Sequence, residues 1–397
     1  MKTCLLIVEH DFLRTHVGVR RVVLHCWQEL ERCGFHVSLA APDAGRLRLG
    51  RFDLASILQS IGRSRGDAPQ WKSTNRVLRK SLLPRIFQGR WTTREVSLDD
   101  FDLTVVTNPW LCRGGMPEGR ISAGIVYDMV PNMVAAGVLD FGRPLNVYDF
   151  AHAHDVGYRL YQDRAESILC ISESTRTDFI RFYQGDEAMQ RKTRAFLPYS
   201  AHAMPAPKRR PPLGGQRRRL LMVNVLDPRK NFEGIRHALR LIGTDVPFDI
   251  DIVGAERIGL PETLRFLNEL ADMGRDVRWY RHASDACLAR LYADADLLVF
   301  PSLYEGLGLP ILEAQVHGAP VVCSNLSSCP EINMNPGLCL DPTDHARMGA
   351  VMASMLTEKT ASQLEGEALQ VALADYIART STFSAALGLT AMSESGG

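Results

Sequence analysis

The sequence predicts an α/β protein built of two doubly wound domains, each a parallel sheet with helices on both faces. Three observations predict it. Short apolar runs alternate with amphipathic stretches along the chain, the alternation occurs in two sets, and residues 204–219 between the sets are rich in Pro, Gly and Arg and lack apolar periodicity. At 397 residues, 46% of them hydrophobic, the chain is long enough to fill two such cores.

The first set supplies strands at Cys4–Val8, His36–Ala40, Leu103–Val106, Ala123–Tyr127 and Ser167–Ile171. The opening run is too short for a signal peptide and suits a first strand. Val19, Val22, Val23, Cys26, Trp27, Leu30 and Cys33 then recur at helical spacing, Gly34 ends that helix, and Phe35 starts the next strand. The second set supplies Leu220–Val225, Phe248–Val253, Val277–Tyr280, Leu297–Phe300 and Pro320–Cys323, with Gly318 repeating the helix–glycine–strand punctuation. The expected division is a first domain over 1–205, a linker over 206–218, a second domain over 219–378 and a tail over 379–397. Such sheets bind ligands at the carboxyl ends of their strands, which places a site in the cleft that the two domains face.

Composition excludes several functions. With 46 Lys+Arg against 45 Asp+Glu, the net charge of +1 argues against nucleic acid as a partner. No run of 18 apolar residues occurs, so no spanning helix is expected. The nine cysteines contain no C-x-x-C and lie mostly in apolar runs, which reads as buried free thiols in a reducing cytoplasm rather than a zinc site. One segment departs from the neutral balance. Residues 46–94 hold twelve Lys/Arg against Asp53 and Asp67, with Trp71, Leu78, Leu82, Ile86 and Trp91 at roughly helical spacing. Two readings stand: a solvated insertion covering the first domain, and a basic amphipathic surface in contact with anionic lipid.

The strongest chemical signal follows the strand Leu297–Phe300. Pro301-Ser-Leu-Tyr-Glu305-Gly306-Leu307-Gly308-Leu309-Pro310-Ile-Leu-Glu313 is a strand, a glycine loop and a helix start. Gly306 and Gly308 would let backbone approach a ligand, Pro310 suits the first helical position, and the helix N-terminus suits an anion. Glu305 in the loop and Glu313 in the first helical turn would repel phosphate, so their expected partners are hydroxyls. A ligand with phosphate in the middle and polyols at both ends is a nucleotide sugar. A second signal is Asp227-Pro-Arg229-Lys230-Asn231: two cations at a strand's carboxyl end suit a diphosphate leaving group, and Asn231 suits a helix cap.

The stretch PSLYEGLGLPILEAQVHGAPVV, with its E-x7-E, resembles the signature of glycosyltransferase family 4. These are retaining enzymes of GT-B architecture, two Rossmann-like domains facing a cleft. The likeness is strong over about residues 215–345 and extends to His16-Val-Gly18, Ile125-Val-Tyr-Asp128, Ile171-Ser-Glu-Ser-Thr and Thr380-Ser-Thr-Phe383-Ser. The resemblance implies that Glu305 binds donor-sugar hydroxyls and Glu313 the ribose hydroxyls. It puts the backbone at Gly306, Leu307, Gly308 and Leu309 on sugar and phosphate, and Lys230 on the diphosphate, with Arg229 the neighbouring cation that would stand in for the arginine Asn224 replaces. It implies that Gly18 lets the first domain close, that Asp128 lies on the acceptor side, and that the tail crosses back to the first domain. Departures are Asn224, where many members place a donor-binding arginine, Tyr127 for a histidine, and Ala385 for a tryptophan.

The function so implied is transfer of a hexose, mannose or a deoxyhexose foremost, from a nucleotide-diphosphate sugar such as GDP-mannose. The acceptor is a hydroxyl of a glycan or lipid-linked glycan in polysaccharide synthesis. Attack comes from the front face with the leaving phosphate as base, no metal or other cofactor is expected, and the setting is cytoplasmic or peripheral at the inner membrane face. Competing readings are a nucleotide-sugar epimerase or phosphorylase of the same fold, and an inactive glycan-binding scaffold. Asp294-Ala-Asp296, Asp249/Asp251 and His152/His154 are not read as metal ligands: the first pair sits between Tyr292 and the strand Leu297–Phe300, the second fits strand patterning, and the histidines fit solvated or capping roles.

Overall fold

The computed structural model describes residues 2–12, 17–62, 68–74, 76, 90–142, 148–199, 217–357 and 365–389. It contains two sheets. The first has eight strands in the spatial order Arg90–Glu95, Arg46–Arg51, Phe35–Asp43, Lys2–Ile7, Leu103–Val106, Ile121–Val126, Ala165–Cys170 and Thr193–Ala195. Arg46–Arg51 pairs antiparallel with both its neighbours, and the last six strands are parallel to one another. The second has seven, in the order Cys339–Leu340, Val321–Ser324, Leu297–Phe300, Arg218–Val223, Phe248–Val253, Val277–Tyr280 and Trp71–Lys72. Strands 103–106, 121–126, 297–300 and 321–324 are buried along their whole length, because helices cover both faces. The predicted doubly wound α/β architecture is therefore the observed one.

The first helix, Val17–Arg32, buries Val22, Val23, Cys26, Trp27 and Leu30 against the first sheet. All nine cysteines are free; eight are buried and Cys339 is partly exposed. No helix among the described residues is long and apolar enough to cross a membrane.

Three features depart from expectation. The basic segment is not one amphipathic helix. Its described parts are the strand Arg46–Arg51, the helix Leu54–Gly62, the strand Trp71–Lys72 and the strand Arg90–Glu95. Trp71, 1% exposed, lies in the core of the second sheet, where its strand pairs antiparallel with Arg278–Trp279. Trp91 packs edge-on to His10 and Phe52, with its indole donating to the His10 carbonyl at 2.8 Å. Two of the five apolar residues that suggested a lipid face are thus turned inward; Leu78, Leu82 and Ile86 lie outside the described residues.

The chain also crosses between the domains twice: an unexpected clasp by part of the basic segment, and the return of the tail that the resemblance implied. Residues 70–74 and Arg76, from the first half, clasp the second sheet: the Gln70 side chain accepts from the Arg281 amide, Ser73 donates to Asp276 at 2.7 Å, and Arg76 pairs with Asp272 at 2.6 Å. At the other end, Gly366–Arg379 packs on the second domain through Gln370 to the Val316 carbonyl. The following turn reaches the first domain, where Phe383 meets Phe196 edge-on at 5.4 Å and Ser384 N donates to Glu29 at 2.9 Å. The expected linker lies almost wholly outside the described residues, and the second sheet begins at Arg218.

Finally, the strand expected to reach Val225 stops at Val223. Asn224 turns out of it with φ +57 and donates its amide to the Val253 carbonyl at 2.7 Å.

Candidate active site

Two adjacent strands of the second sheet deliver the site. After Arg218–Val223 the chain forms a short 3-10 turn, Pro228–Lys230, capped by Asp227, whose side chain accepts from the Arg229 amide at 2.9 Å. Asn231 then adopts φ +59 and caps the helix Phe232–Leu241 by accepting from Gly234 N, as its place in the sequence suggested. This pair of turns holds Arg229 and Lys230 against the loop that follows Leu297–Phe300.

In that loop Glu305 is 6% exposed and is gripped by both cations. Lys230 donates to one carboxylate oxygen, while Arg229 lies 3.3 Å from the other and also donates to the Tyr304 carbonyl at 2.9 Å. Burial opposes the charge on Glu305, but Lys230 and Arg229 outweigh it and hold the carboxyl below its usual range. Burial pushes the Lys230 ammonium down, helped by Arg229 and opposed by Glu305. Arg229 is burdened by burial yet held above its usual value by Glu305, Asp128 and Asp227. The backbone of Glu305 is fixed too, its amide donating to Ser327 Oγ at 2.9 Å and its carbonyl accepting from Ser328 Oγ at 3.1 Å. Ser327 has φ +48, a left-handed residue spent on presenting that hydroxyl.

The two glycines of the loop serve different needs. Gly308 has φ +92 and caps the helix Leu309–Val316, a conformation that disfavours a side chain. Gly306 lies against the first domain: a Cβ there would collide with the Tyr127 carbonyl oxygen, and the Gly306 carbonyl accepts from Thr175 Oγ1 at 2.9 Å and from Ser172 Oγ. The close approach expected of Gly306 toward a ligand is in this structure an approach of domain to domain. Leu307 is buried and Leu309 partly buried. Pro310 is the second helical residue, and Glu313 falls in the second turn, because Gly308 starts the helix at Leu309.

Glu313, 2% exposed, is held by different groups from Glu305. One oxygen accepts from Tyr292 Oη at 2.8 Å; the other accepts from the guanidinium of Arg21, on the first helix of the other domain. Arg21 also reaches Asp285 at 2.7 Å, and Arg20 lies 3.7 Å from the same carboxylate. Gly18, exposed, faces this helix start, where a Cβ would just touch Leu309 at 4.0 Å. Asp128 accepts from Val130 N at 2.9 Å and its carbonyl accepts from Tyr158 Oη at 2.9 Å, so its side chain terminates a turn while its charge supports Arg229. Asn224, also exposed, keeps its side chain beside Gly254.

Sequence reasoning missed Arg21, Tyr292, Ser172, Thr175 and Glu331. Glu331 reaches across the interface to accept from Ser174 N at 2.6 Å and Glu173 N at 3.1 Å. Tyr292 meets Glu313 within its own domain, whereas the partners of Arg21, Ser172, Thr175 and Glu331 lie in the opposite domain. Among the discounted acids, Asp296 accepts from Arg218 at 2.8 Å and Arg219 N at 2.9 Å, and Asp251 accepts from Arg278 at 2.7 Å, so both are spent on structural pairs. His152 is exposed, whereas His154 is buried beside Phe150 and Trp110 rather than solvated.

Comparison with known proteins adds to this geometry. Residues 206–369 match the family model for glycosyl transferases group 1. The chain is 34% identical over 191 residues to O-antigen chain mannosyltransferase B of Escherichia coli, covering 46% of this chain and 49% of that one. It is 31% identical over 150 residues to MMP alpha-(1->4)-mannosyltransferase of Mycolicibacterium hassiacum, covering 36% and 35%. The chain thus spans half or less of the length of these curated relatives. Among solved structures it resembles WaaG, a glycosyltransferase involved in lipopolysaccharide biosynthesis, with TM-score 0.57 at 15% identity over 98% of this chain and 100% of that one. It also resembles Anabaena HepE, solved with UDP and glucose, with TM-score 0.58 at 14% identity over 96% of each chain. The chain has the GT-B fold, and its residues 206–369 are the part that resembles the group 1 glycosyl transferases.

Proposed function

We propose that the chain is a retaining mannosyltransferase that moves mannose from a nucleotide-diphosphate mannose to a hydroxyl of a growing glycan. One observation carries the reading: Arg229, Lys230 and Glu305 converge at the carboxyl ends of two adjacent strands, beside the N-terminus of the helix Leu309–Val316. The similarity to two proteins named mannosyltransferases supports mannose as the sugar.

In this reading the two cations neutralise the diphosphate as its bond to the sugar breaks, and the helix N-terminus adds its partial positive charge. Glu305, ionised by its neighbours, accepts hydrogen bonds from sugar hydroxyls, and Glu313 does so from the ribose. The departing phosphate oxygen takes the proton of the acceptor hydroxyl on the same face, so the chain supplies position and charge rather than a nucleophile. Asp128, at the first domain's edge of the site, is placed on the acceptor side. The proposal includes a metal-independent reaction in the cytoplasm, with a glycan or lipid-linked glycan as acceptor.

The test is two-fold. Thermal midpoints are measured with GDP, UDP, ADP and CDP, with and without EDTA; a single diphosphate that raises the midpoint equally in both conditions names the donor base, with about 2.7 kcal/mol at a hundredfold excess over its Kd. Radiolabelled nucleotide-diphosphate mannose is then supplied with a mannan oligosaccharide. Label in a longer oligosaccharide with α linkage supports the reading. Label in a free nucleotide sugar of altered stereochemistry would point to an epimerase, and the absence of any shift in the first assay to a scaffold.

A further inference from the structure

The segment that steadies Glu305 is closed at its base by two cysteines. Cys323 lies on the strand Val321–Ser324 and Cys339 on Cys339–Leu340, and the two residues are direct partners in the parallel register. Their Sγ atoms stand 3.6 Å apart, and Asn333 Nδ2 donates to Cys323 Sγ at 3.1 Å. Directly opposed strand residues have Cα separations within the range a disulfide spans. The other seven cysteines are buried; of this pair Cys323 is buried, and Cys339 alone of the nine is partly exposed. The pair therefore joins one thiol that an oxidant can reach to one held in contact behind it. Contact with Cys323 also lowers the Cys339 thiol toward its reactive thiolate form.

What lies between the two cysteines gives the arrangement its interest. Ser327 and Ser328 hold the Glu305 backbone, and Glu331 takes two amides of the first domain. A covalent bond at 323–339 would fasten the base of a segment that touches both the candidate site and the domain interface.

We propose that Cys323 and Cys339 form a reversible redox pair, oxidised to an intramolecular disulfide by a peroxide. The Cys339 thiolate attacks one peroxide oxygen, the O–O bond breaks, and water leaves after protonation, giving a sulfenic acid. Cys323 sulfur then attacks the sulfenic sulfur, the S–S bond forms, and a second water leaves. Two thiols lose two electrons and two protons while hydrogen peroxide is reduced to two waters; a dithiol reductant reverses the step. This inference stands on the strand register and the thiol contact and is independent of the donor assigned above.

The full-length reduced protein is treated with stoichiometric hydrogen peroxide, blocked with N-ethylmaleimide and digested without reductant. A glutamyl protease suits the purpose: cleavage after Glu313, Glu331 and Glu358 separates Cys323 and Cys329 from Cys339, whereas residues 291–347 hold no internal Lys or Arg for trypsin. The expected product joins peptide 314–331 to peptide 332–358, two hydrogens lighter than their sum, with fragmentation placing the link at Cys323. It persists in Cys329→Ser, vanishes in Cys339→Ser, disappears on dithiothreitol treatment, and raises the thermal midpoint of the wild type and of Cys329→Ser but not of Cys339→Ser. A link at Cys329, a link between two chains, or both thiols recovered as maleimide adducts would overturn the proposal.

Discussion

The two buried glutamates of the site lie eight residues apart and take their cations from opposite halves of the molecule. Glu305 is neutralised by Arg229 and Lys230 of its own domain, and its backbone is pinned by Ser327 and Ser328 of the same domain. Glu313 has one partner from its own domain, Tyr292, and takes its cation from Arg21 of the other. The first glutamate is therefore preorganised whatever the domains do, whereas the second is bound up with their approach. A ribose that takes Glu313 must share it with Arg21 or displace it; a sugar that meets Glu305 finds its cations already in place. The difference separates a site that waits from a site that closes.

Breaking the waiting half has the largest expected effect. Glu305→Ala leaves two buried cations without their carboxylate, which costs about 3–5 kcal/mol of stability by the behaviour of broken buried pairs. The thermal midpoint should fall and transfer should drop out of range. Because that variant risks unfolding, Glu305→Gln is the companion. It keeps the shape, and kcat should fall about 10²–10³-fold, the usual loss when a preorganised electrostatic partner is removed.

Gly306→Ala breaks the junction between the halves. Its Cβ meets the Tyr127 carbonyl, so the domains must part by part of an ångström or more. Misplacement on that scale costs about 10²-fold in rate. Nucleotide affinity, which depends on second-domain groups in this reading, should change little. Equal losses in rate and in nucleotide affinity would show that the loop itself, rather than the domain approach, had been deformed.

Arg21→Ala sharpens the comparison. It frees Glu313 from its cross-domain partner, so a bare nucleoside diphosphate should bind about threefold more tightly, the scale of a partly exposed ion pair, while kcat falls. Weaker binding measured by calorimetry would instead make Arg21 a ligand-binding residue.

The smallest effect concerns acid. His317 is buried, stacks on Tyr292 at 6.0 Å, and is pushed down from 6.5 to about 4 by burial. The folded state thus prefers the neutral ring. Its contribution is intact above the unfolded value and is lost as pH falls from about 6.5 toward about 4. His317→Phe should flatten the stability–pH curve in that window, read from urea midpoints; an unchanged slope would assign the acid sensitivity to other groups.

These contrasts also mark what the sequence made legible. Four strands, Leu103–Val106, Phe248–Val253, Val277–Tyr280 and Leu297–Phe300, were placed to the residue, because short apolar runs or apolar alternation between turn signals mark a strand. The edge strands at 71–72, 90–95, 193–195 and 339–340, and the strand 46–51 next to one edge, were not, being short or rich in charge. The same division runs through the site. Arg229, Lys230 and Glu305 are each read from a local turn motif, and they come together because two neighbouring strands end at the same level. Arg21, Thr175 and Glu331 act across the interface, and no local pattern states which residue a side chain will meet in the other domain. Gly306 was read as making room for a ligand, yet here it makes room for a carbonyl; the glycine signal reports close approach without naming what approaches.

The most direct measurement sets the two glutamates side by side. Calorimetry is run on Glu305→Gln and Glu313→Gln with a bare nucleoside diphosphate and with the matching nucleotide-diphosphate mannose. If the division of labour is right, Glu313→Gln weakens both ligands alike, while Glu305→Gln weakens the sugar-bearing ligand and spares the bare nucleotide. Equal loss of the bare nucleotide in both variants would contradict it.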